Sequence, residues 1–168
     1  MIRPILTYPD PKLKKKSAPV TVITESVQDL IRDMAETMYD APGAGLAAPQ
    51  IGVHQRVIVI DISPRDEPPD LIVAINPVIV HAEGDSYEEE GCLSVPNYAA
   101  NVRRHAHIVV KALDPHGAER TWIADELLAI AFQHEIDHLD GILFVDHLSI
   151  LKRELFQRKA RKTLEGGR

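Results

Sequence analysis

The chain has 168 residues, 45% of them hydrophobic, and a formal charge of −6. This length predicts one domain spanning residues 1–168 with a sizeable core, which excludes disordered and collagen-like proteins, and the negative charge argues against DNA binding. The single cysteine excludes an intrachain disulfide, and no apolar run is long enough for a signal peptide or a membrane span. We therefore expect a soluble cytoplasmic protein without a membrane partner.

The first half of the chain predicts a helix, a strand and a loop. Thr24 is placed to cap a helix that begins at Glu25 and ends before Pro42-Gly43, with apolar residues on one face. The β-branched run 56–61 predicts a buried strand. Segment 64–70, which is rich in proline and acidic residues, predicts an exposed loop.

The middle of the chain predicts extended structure. Runs 71–75 and 77–81 are interpreted as two separate strands. Runs 107–113 and 119–123 flank the sequence Asp114-Pro-His-Gly117, where proline and glycine favour a tight turn. These last two runs therefore predict a β-hairpin.

Two helices are predicted in the last third. Residues 124–140 have helical apolar spacing with Gly141 as a stop signal, and Ser149 begins a final helix that extends to about residue 164. The expected fold class is α+β, with short antiparallel or mixed sheets around a central metal-binding helix and with a C-terminal helix.

The strongest local signal is the sequence His134-Glu135-Ile136-Asp137-His138. Side chains four apart lie on one face of a helix, so both imidazoles can bind one ion. Glu135 is rotated by about 100° from His134, which suits proton transfer rather than ligation. The alternative to a metal site is that both histidines form hydrogen bonds within the protein and bind no ion. Burying them without partners would be costly, because they share a stripe with Leu127, Ile130 and Ala131.

The third ligand separates the candidate chemistries. One metallopeptidase pattern fits at Gly141 but has Phe144 in place of its last histidine. The other peptidase solution uses a downstream glutamate, and the candidates Glu154 and Glu165 lie in the basic terminal helix. A metallopeptidase is therefore the weaker alternative.

Cys92 is a better third ligand. Its thiolate would balance the charge of the ion and leave a fourth position open to water. A structural metal in an inactive protein is a further alternative, although structural sites usually have four protein ligands. Segment 43–50 has two glycines and three alanines, so it is either a surface that another backbone can approach or a flexible turn.

The segments GAGLAAPQ, EGCLS and HEIDH resemble, in order and spacing, the three signature motifs of peptide deformylases. The flanking sequences HQRVIVID, ALDPHG and LLAIAFQHEIDHLDG are also similar to that family, so the resemblance covers nearly the whole chain. It implies a metal-dependent hydrolase that removes the N-formyl group from the N-terminal formylmethionine of newly made polypeptides and releases formate.

The resemblance also implies a role for each matching residue. The metal ligands are Cys92, His134 and His138. They would hold one divalent ion, normally Fe²⁺, for which Zn²⁺, Ni²⁺ or Co²⁺ can substitute. A water activated by the metal attacks the formyl carbon, Glu135 acts as general base and acid, and Gln50 and the Leu93 backbone N–H bind the oxyanion.

Substrate positions follow from the same resemblance. Gly45 and Gly91 would dock the substrate backbone as a strand. The wall of the methionine pocket would be formed by Leu127, Ile130 and Ala131. Two of the substrate positions depart from the family pattern. Ala44 replaces the usual Ile or Val, which leaves the width of the pocket open, and Ala131 replaces the cysteine of many bacterial members.

The C-terminal segment is basic. Residues 151–168 have a net charge of +5, so the rest of the chain sums to −11. We expect helix 149–164 to bury Leu151, Leu155 and Phe156 and to expose its cations. It is either a solvated helix beside an acidic body or, as the resemblance implies, a contact with ribosomal RNA near the nascent-chain exit.

Overall fold

The structure is a computed structural model that describes residues 1–166, with side chains through residue 164. Within these residues the helices are α1 (Glu25–Asp40), α2 (Glu126–Leu139) and α3 (Ile150–Gly166). The strands are β1 (Gly45–Ala47), β2 (Val57–Ile60), β3 (Ile72–Glu83), β4 (Ser86–Cys92), β5 (Val95–Arg104), β6 (His107–Leu113) and β7 (Glu119–Asp125). Short 3-10 helices span Pro11–Lys14, Ala48–Ile51 and Phe144–His147. The predicted α+β class is confirmed.

The strands form two antiparallel sheets. The larger has the order β1-β2-β3-β6-β7, and the smaller is the hairpin of β4 and β5. Strand β1 is at one end of the larger sheet, so one of its edges has no strand partner among the described residues. The predicted hairpin of β6 and β7 is present, with its turn closed by a hydrogen bond from Gly117 N–H to Asp114 O of 2.9 Å.

Helices α1 and α2 cover opposite faces of the larger sheet. All four residues of β2 are fully buried, because alternate side chains point to opposite faces. Val57 and Val59 pack with α1, whereas Ile58 and Ile60 pack with α2. Helix α1 begins as predicted, with Thr24 Oγ1 accepting a hydrogen bond from Val27 N–H.

Two details of the predicted elements are wrong. Runs 71–75 and 77–81 form the single strand β3, in which Asn76 takes a positive φ of 54° next to a register shift. Such a bulge lets a strand continue through an Asn-Pro pair. Residues 124 and 125 end β7 rather than beginning the helix. Strands β1, β4 and β5 were not predicted.

The predicted inner face of α3 is also wrong in part. Phe156 is buried and its ring packs against Tyr8 and Tyr98, with centroids 5.0 Å and 4.7 Å away. Leu151 and Leu155, in contrast, are 67% and 54% exposed. Only Phe156 and the partly buried Ala160 of this helix pack against the core cluster, so Leu151 and Leu155 stay uncovered. None of the helices in residues 1–166 is both long enough and apolar enough to cross a bilayer.

Candidate metal centre and substrate cleft

Helix α2 lies between the larger sheet and the β4–β5 hairpin. Its side chains Phe132, Ile136 and Leu139 pack on the larger sheet. Gln133 fixes the helix further, since its amide bonds both the N–H and the C=O of His105 at 2.9 Å. Of the next two residues, His134 points towards Glu90 of β4 and Glu135 towards Gly45 of β1.

Three potential metal ligands converge at this place. Cys92 is the last residue of β4, and its Sγ lies 3.3 Å from His138 Nε2. One donor atom from each of Cys92, His134 and His138 lies within 4.8 Å of the other two. The structure thus brings together the three ligands predicted from sequence. One thiolate and two imidazoles are a donor set typical of a transition-metal site with an open position.

A buried charge network orients His134. Its Nδ1 lies 2.9 Å from Glu90 Oε1, which leaves Nε2 facing the site. Arg104 donates two hydrogen bonds to Glu90, of 2.8 Å and 2.9 Å, and one of 2.6 Å to Asp137. Burial alone would raise the pKa of Glu90, but hydrogen bonds and charges from Arg104 and His134 lower this pKa to about 2. Glu90 is therefore an anion that holds the imidazole in place.

The two imidazoles differ in their electrostatic surroundings. Burial lowers the pKa of His138 well below its usual range, which favours the neutral form that coordinates metals. Burial also acts to lower the pKa of His134, but the charges of Glu135, Cys92 and Glu90 raise it well above its usual range. Negatively charged groups therefore surround His134, whereas His138 has none among the causes of its shift.

Glu135 lies beside the candidate ligands without belonging to them. It is 5% exposed, and its Oε1 is buried without a hydrogen-bond partner among the described residues. Burial raises the pKa of Glu135 to about 7, which suits a group that accepts and returns a proton. Its carboxylate packs against Gly45, where an added Cβ would lie only 2.5 Å from Oε2. A side chain at residue 45 would therefore displace the Glu135 carboxylate.

Gln50 points its amide nitrogen towards the same site. Its Oε1 accepts a hydrogen bond of 2.9 Å from Ala47 N–H, which fixes the orientation of the amide. The Nε2 atom then lies 3.0 Å from Ser94 Oγ and 3.7 Å from Cys92 Sγ. Leu93 occupies the turn between β4 and β5 directly after Cys92. Both residues predicted to bind an oxyanion therefore neighbour the candidate metal centre.

These residues form the floor and walls of a cleft of about 650 Å³ between β1, the β4–β5 hairpin and α2. The predicted substrate residues that line it are Ala44, Gly45, Gly91, Leu127, Ile130 and Ala131. The available edge of β1 forms one wall and Gly91 the other. An extended peptide can add to such an edge through its backbone, while the apolar side chains of α2 contact a side chain.

The sequence profile of the polypeptide deformylase family matches residues 2–154. The chain belongs to the polypeptide deformylase family. Its relative from Acidobacterium capsulatum, a peptide deformylase, is 50% identical over 167 residues, which cover 99% of this chain and 98% of the relative. The family match explains why the three motifs meet at one centre.

Solved structures of the family have the same fold. The peptide deformylase of Legionella pneumophila is 48% identical and superposes with a TM-score of 0.90, covering 100% of this chain and 99% of its own. The Ehrlichia chaffeensis enzyme in complex with actinonin is 38% identical, with a TM-score of 0.90 and coverages of 96% and 97%. All the elements described above therefore lie within the fold shared with these structures.

The residues that the peptidase alternatives require are not placed to bind a metal. Phe144 is buried, and its ring stacks on His134 with centroids 6.1 Å apart. It thus packs on a candidate ligand in place of supplying one. Glu154 is exposed on α3, and the side chain of Glu165 lies outside those that the structure describes.

Sequence reasoning missed the network behind His134. Glu90 and Asp137 each belong to one of the quoted motifs, EGCLS and HEIDH, so their position was a usable signal. Arg104 gave none, because it ends an unpredicted strand 30 residues before His134. His147, whose Nε2 lies 2.7 Å from Asp137 Oδ2, extends the network to the surface and was also missed.

Proposed function

We propose that this chain removes the N-formyl group from the N-terminal formylmethionine of newly made polypeptides in the cytoplasm and releases formate. The observation that carries the proposal is the convergence of Cys92, His134 and His138 beside a buried carboxylate at the end of an apolar cleft. Family membership supports it independently. We further propose that residues 1–168 form one catalytic domain.

The residues divide the chemistry among them. A divalent metal held by Cys92, His134 and His138 would supply a Lewis acid that activates water. Glu135 takes the proton of that water and later delivers it to the amine that leaves the formyl carbon, which its pKa of about 7 permits. Gln50 Nε2 and the backbone N–H of Leu93 donate hydrogen bonds to the formyl oxygen as negative charge develops on it.

Substrate selection uses the two walls of the cleft. The peptide backbone docks as an added strand between β1 at Gly45 and β4 at Gly91. Because backbone hydrogen bonds do not depend on side-chain identity, this mode of binding accepts many polypeptides. The methionine side chain packs against α2 at Leu127, Ile130 and Ala131. Burying an apolar side chain of this size contributes roughly 1.5–3 kcal/mol, enough to prefer methionine over alanine.

Product analysis separates this function from its alternatives. Purified protein loaded with Fe²⁺ under anaerobic conditions is mixed with formyl-Met-Ala-Ser and, as a control, with acetyl-Met-Ala-Ser. We expect formate and intact Met-Ala-Ser from the first peptide and much slower release from the second. Cleavage of a peptide bond would indicate a metallopeptidase, and full metal content without turnover would indicate a structural metal.

We propose Fe²⁺ as the natural ion, with Zn²⁺, Ni²⁺ or Co²⁺ as substitutes. One soft thiolate and two imidazoles are compatible with all four, so this choice rests on the resemblance in the sequence. Metal analysis of protein purified anaerobically from cells tests it. A preparation that contains mostly zinc and loses activity when iron replaces it would contradict the proposal.

We also propose that the outer face of α3 contacts ribosomal RNA. The described part of the helix has six basic residues, namely Lys152, Arg153, Arg158, Lys159, Arg161 and Lys162. All of them except Arg153 are exposed. Cations clustered on a helix release counterions from a phosphate backbone, which gives a salt-sensitive attachment. The acidic body would be repelled, so contact would be confined to this helix.

Charge reversal on α3 tests the ribosome contact. We expect glutamate at positions 158, 159, 161 and 162 to abolish co-sedimentation with ribosomes at low salt and to leave turnover of formyl-Met-Ala-Ser unchanged. The matched control is reversal of Lys111 and Arg120, two basic residues of the sheet. Equal co-sedimentation of the α3 variant and wild type would mean that the helix is merely solvated.

A further inference from the structure

His147 lies at the outer end of the charge network next to the metal centre. It is the last residue of the third 3-10 helix, and its side chain is 37% exposed. From His147 the network continues inwards through Asp137 and Arg104 to Glu90, whose side chain is only 4% exposed. A residue in contact with solvent is thus connected to a candidate metal ligand through three side chains.

The neighbours of His147 show which of its ring nitrogens carries a hydrogen. Its Nε2 lies 2.7 Å from Asp137 Oδ2, which can only accept a hydrogen bond, and 3.4 Å from Arg104 Nη1, which can only donate one. A bare Nε2 would face the carboxylate without a proton between them, so Nε2 carries the hydrogen. His147 and Arg104 therefore both donate to Oδ2 of Asp137.

Asp137 determines how Arg104 meets its other partner. The Nε and Nη2 atoms of Arg104 donate to the two oxygens of Glu90 at 2.8 Å and 2.9 Å, while Nη1 donates to Asp137 at 2.6 Å. Because the guanidinium is planar and rigid, the position of Asp137 fixes the angle at which Arg104 approaches Glu90. Glu90 Oε1 lies 2.9 Å from His134 Nδ1. A shift of Asp137 is therefore transmitted to the imidazole of His134.

The position of His147 is fixed by the short helix that it ends. Leu143 and Phe144, at the start of that helix, are buried in a hydrophobic cluster, and Asp146 Oδ2 accepts a hydrogen bond of 2.8 Å from Leu143 N–H. The ring of Phe144 also stacks on His134. The same helix therefore contacts His134 directly through Phe144 and is connected to it a second time through His147.

We propose that His147 is a positioning residue of the metal centre, which donates a hydrogen bond to Asp137 and thereby holds Arg104, Glu90 and the ring of His134 in place. The inference rests on the proposed deformylase function, because it needs a metal bound by the three ligands. Partners that orient a ligand typically change metal affinity 10–100-fold when they are replaced. His147 acts through other side chains, so we expect an effect at the lower end of this range.

The test measures the dissociation constant of Co²⁺ from its absorption bands as metal-free protein is titrated under anaerobic conditions. His147→Phe retains an aromatic ring but lacks the donor, so it should raise this constant on the order of tenfold and shift the bands of bound Co²⁺. His147→Leu, a second variant without the donor, should behave in the same way. His147→Gln can place an amide N–H near the position of Nε2 and should stay within about threefold of wild type.

His107→Phe is the matched control. His107 also pairs with an exposed aspartate, since its Nδ1 lies 2.5 Å from Asp125 Oδ1, but neither residue bonds to the network. Its affinity for Co²⁺ and its absorption bands should equal those of wild type.

Two results would overturn the inference. One is wild-type affinity and unchanged bands in both His147→Phe and His147→Leu. The other is a His147→Gln variant that binds Co²⁺ as weakly as His147→Phe, which would mean that packing of the ring matters and its N–H does not. A wild-type protein that binds no Co²⁺ would contradict the metal centre and the proposed function themselves, and is therefore distinguishable from both.

Discussion

Helices α2 and α3 are similar in length but are packed in opposite ways. Helix α2 buries the polar residues His134, Glu135 and His138, each less than 9% exposed. Helix α3 exposes the apolar residues Leu151 and Leu155 and, among its described side chains, buries Phe156 alone. Helical spacing shows which residues share a face, but the surfaces that surround the helix decide whether that face is covered.

The difference also shows where function is encoded. Burying a titratable group is unfavourable unless it is paired, so a helix that buries several of them indicates a functional site. In α2 the burial is supported by Glu90, Arg104 and Asp137 from neighbouring elements and from the helix itself. Helix α3 has no comparable buried polar group among its described side chains.

The largest effect is expected when the centre beside α2 loses a ligand. Cys92→Ala should remove the metal on dialysis, because two imidazoles alone bind it weakly, and formate release should fall to the level of metal-free protein. Elemental analysis before and after dialysis measures the loss. Cys92→Ser, the matched variant, should retain at most a loosely held ion. A fully loaded, fully active Cys92→Ala would refute ligation by this residue.

A large loss of stability is expected when Arg104 is removed from the charge network next to the metal centre. Arg104→Met leaves the buried Glu90 and the partly buried Asp137 without the cation they share, which should lower the free energy of unfolding by about 3–5 kcal/mol. Arg56, which pairs with the half-exposed Asp140 at 3.0 Å, is the matched control. Arg56→Met should cost at most about 1 kcal/mol. Urea unfolding of both variants compares them, and equal losses would mean that the buried network adds nothing.

A catalytic effect without loss of metal is expected at Gln50. Removing one oxyanion donor weakens transition-state binding by about 3–4 kcal/mol, so Gln50→Ala should lower kcat roughly a hundredfold or more. The change in KM should be smaller. Steady-state kinetics with formyl-Met-Ala-Ser measures both constants. A change confined to KM would assign Gln50 to binding of the ground state.

The smallest effect is expected on the exposed side of α3. Leu155→Ala should change the free energy of unfolding by less than about 0.5 kcal/mol, as is usual for surface substitutions. Phe156→Ala, one residue further, should lower it by about 3–5 kcal/mol because it empties a packed aromatic site. Thermal unfolding of the two variants compares them directly. Similar losses of unfolding free energy in the two variants would mean that Leu155 is buried, as the helical spacing predicted.

Local signals predicted much of the fold. Thr24, the run 56–61 and the Asp114–Gly117 turn lie where the structure has a cap, a strand and a hairpin turn, because each depends on nearby residues. Strand β5 was missed although Tyr98, Ala100 and Val102 alternate towards the interior, because the asparagines and arginines among them obscure the apolar pattern. The continuity of β3 was missed because the bulge at Asn76 is stabilised from outside the strand, by hydrogen bonds to Val20.

The site was predictable to the extent that its residues occur in motifs. Cys92, His134 and His138 come from two such motifs, and the structure brings their donor atoms together. Arg104 was unpredictable because its partners are distant in sequence and become neighbours only through the β4–β5 hairpin.

The central claim is that α2 separates metal binding, by His134 and His138, from proton transfer, by Glu135. Formate release per bound metal in Glu135→Gln tests it most directly. We predict about the wild-type metal content and turnover reduced on the order of 10²–10⁴-fold, as expected when general acid–base catalysis is lost. A metal content that falls in proportion to turnover would contradict the claim and make Glu135 a ligand.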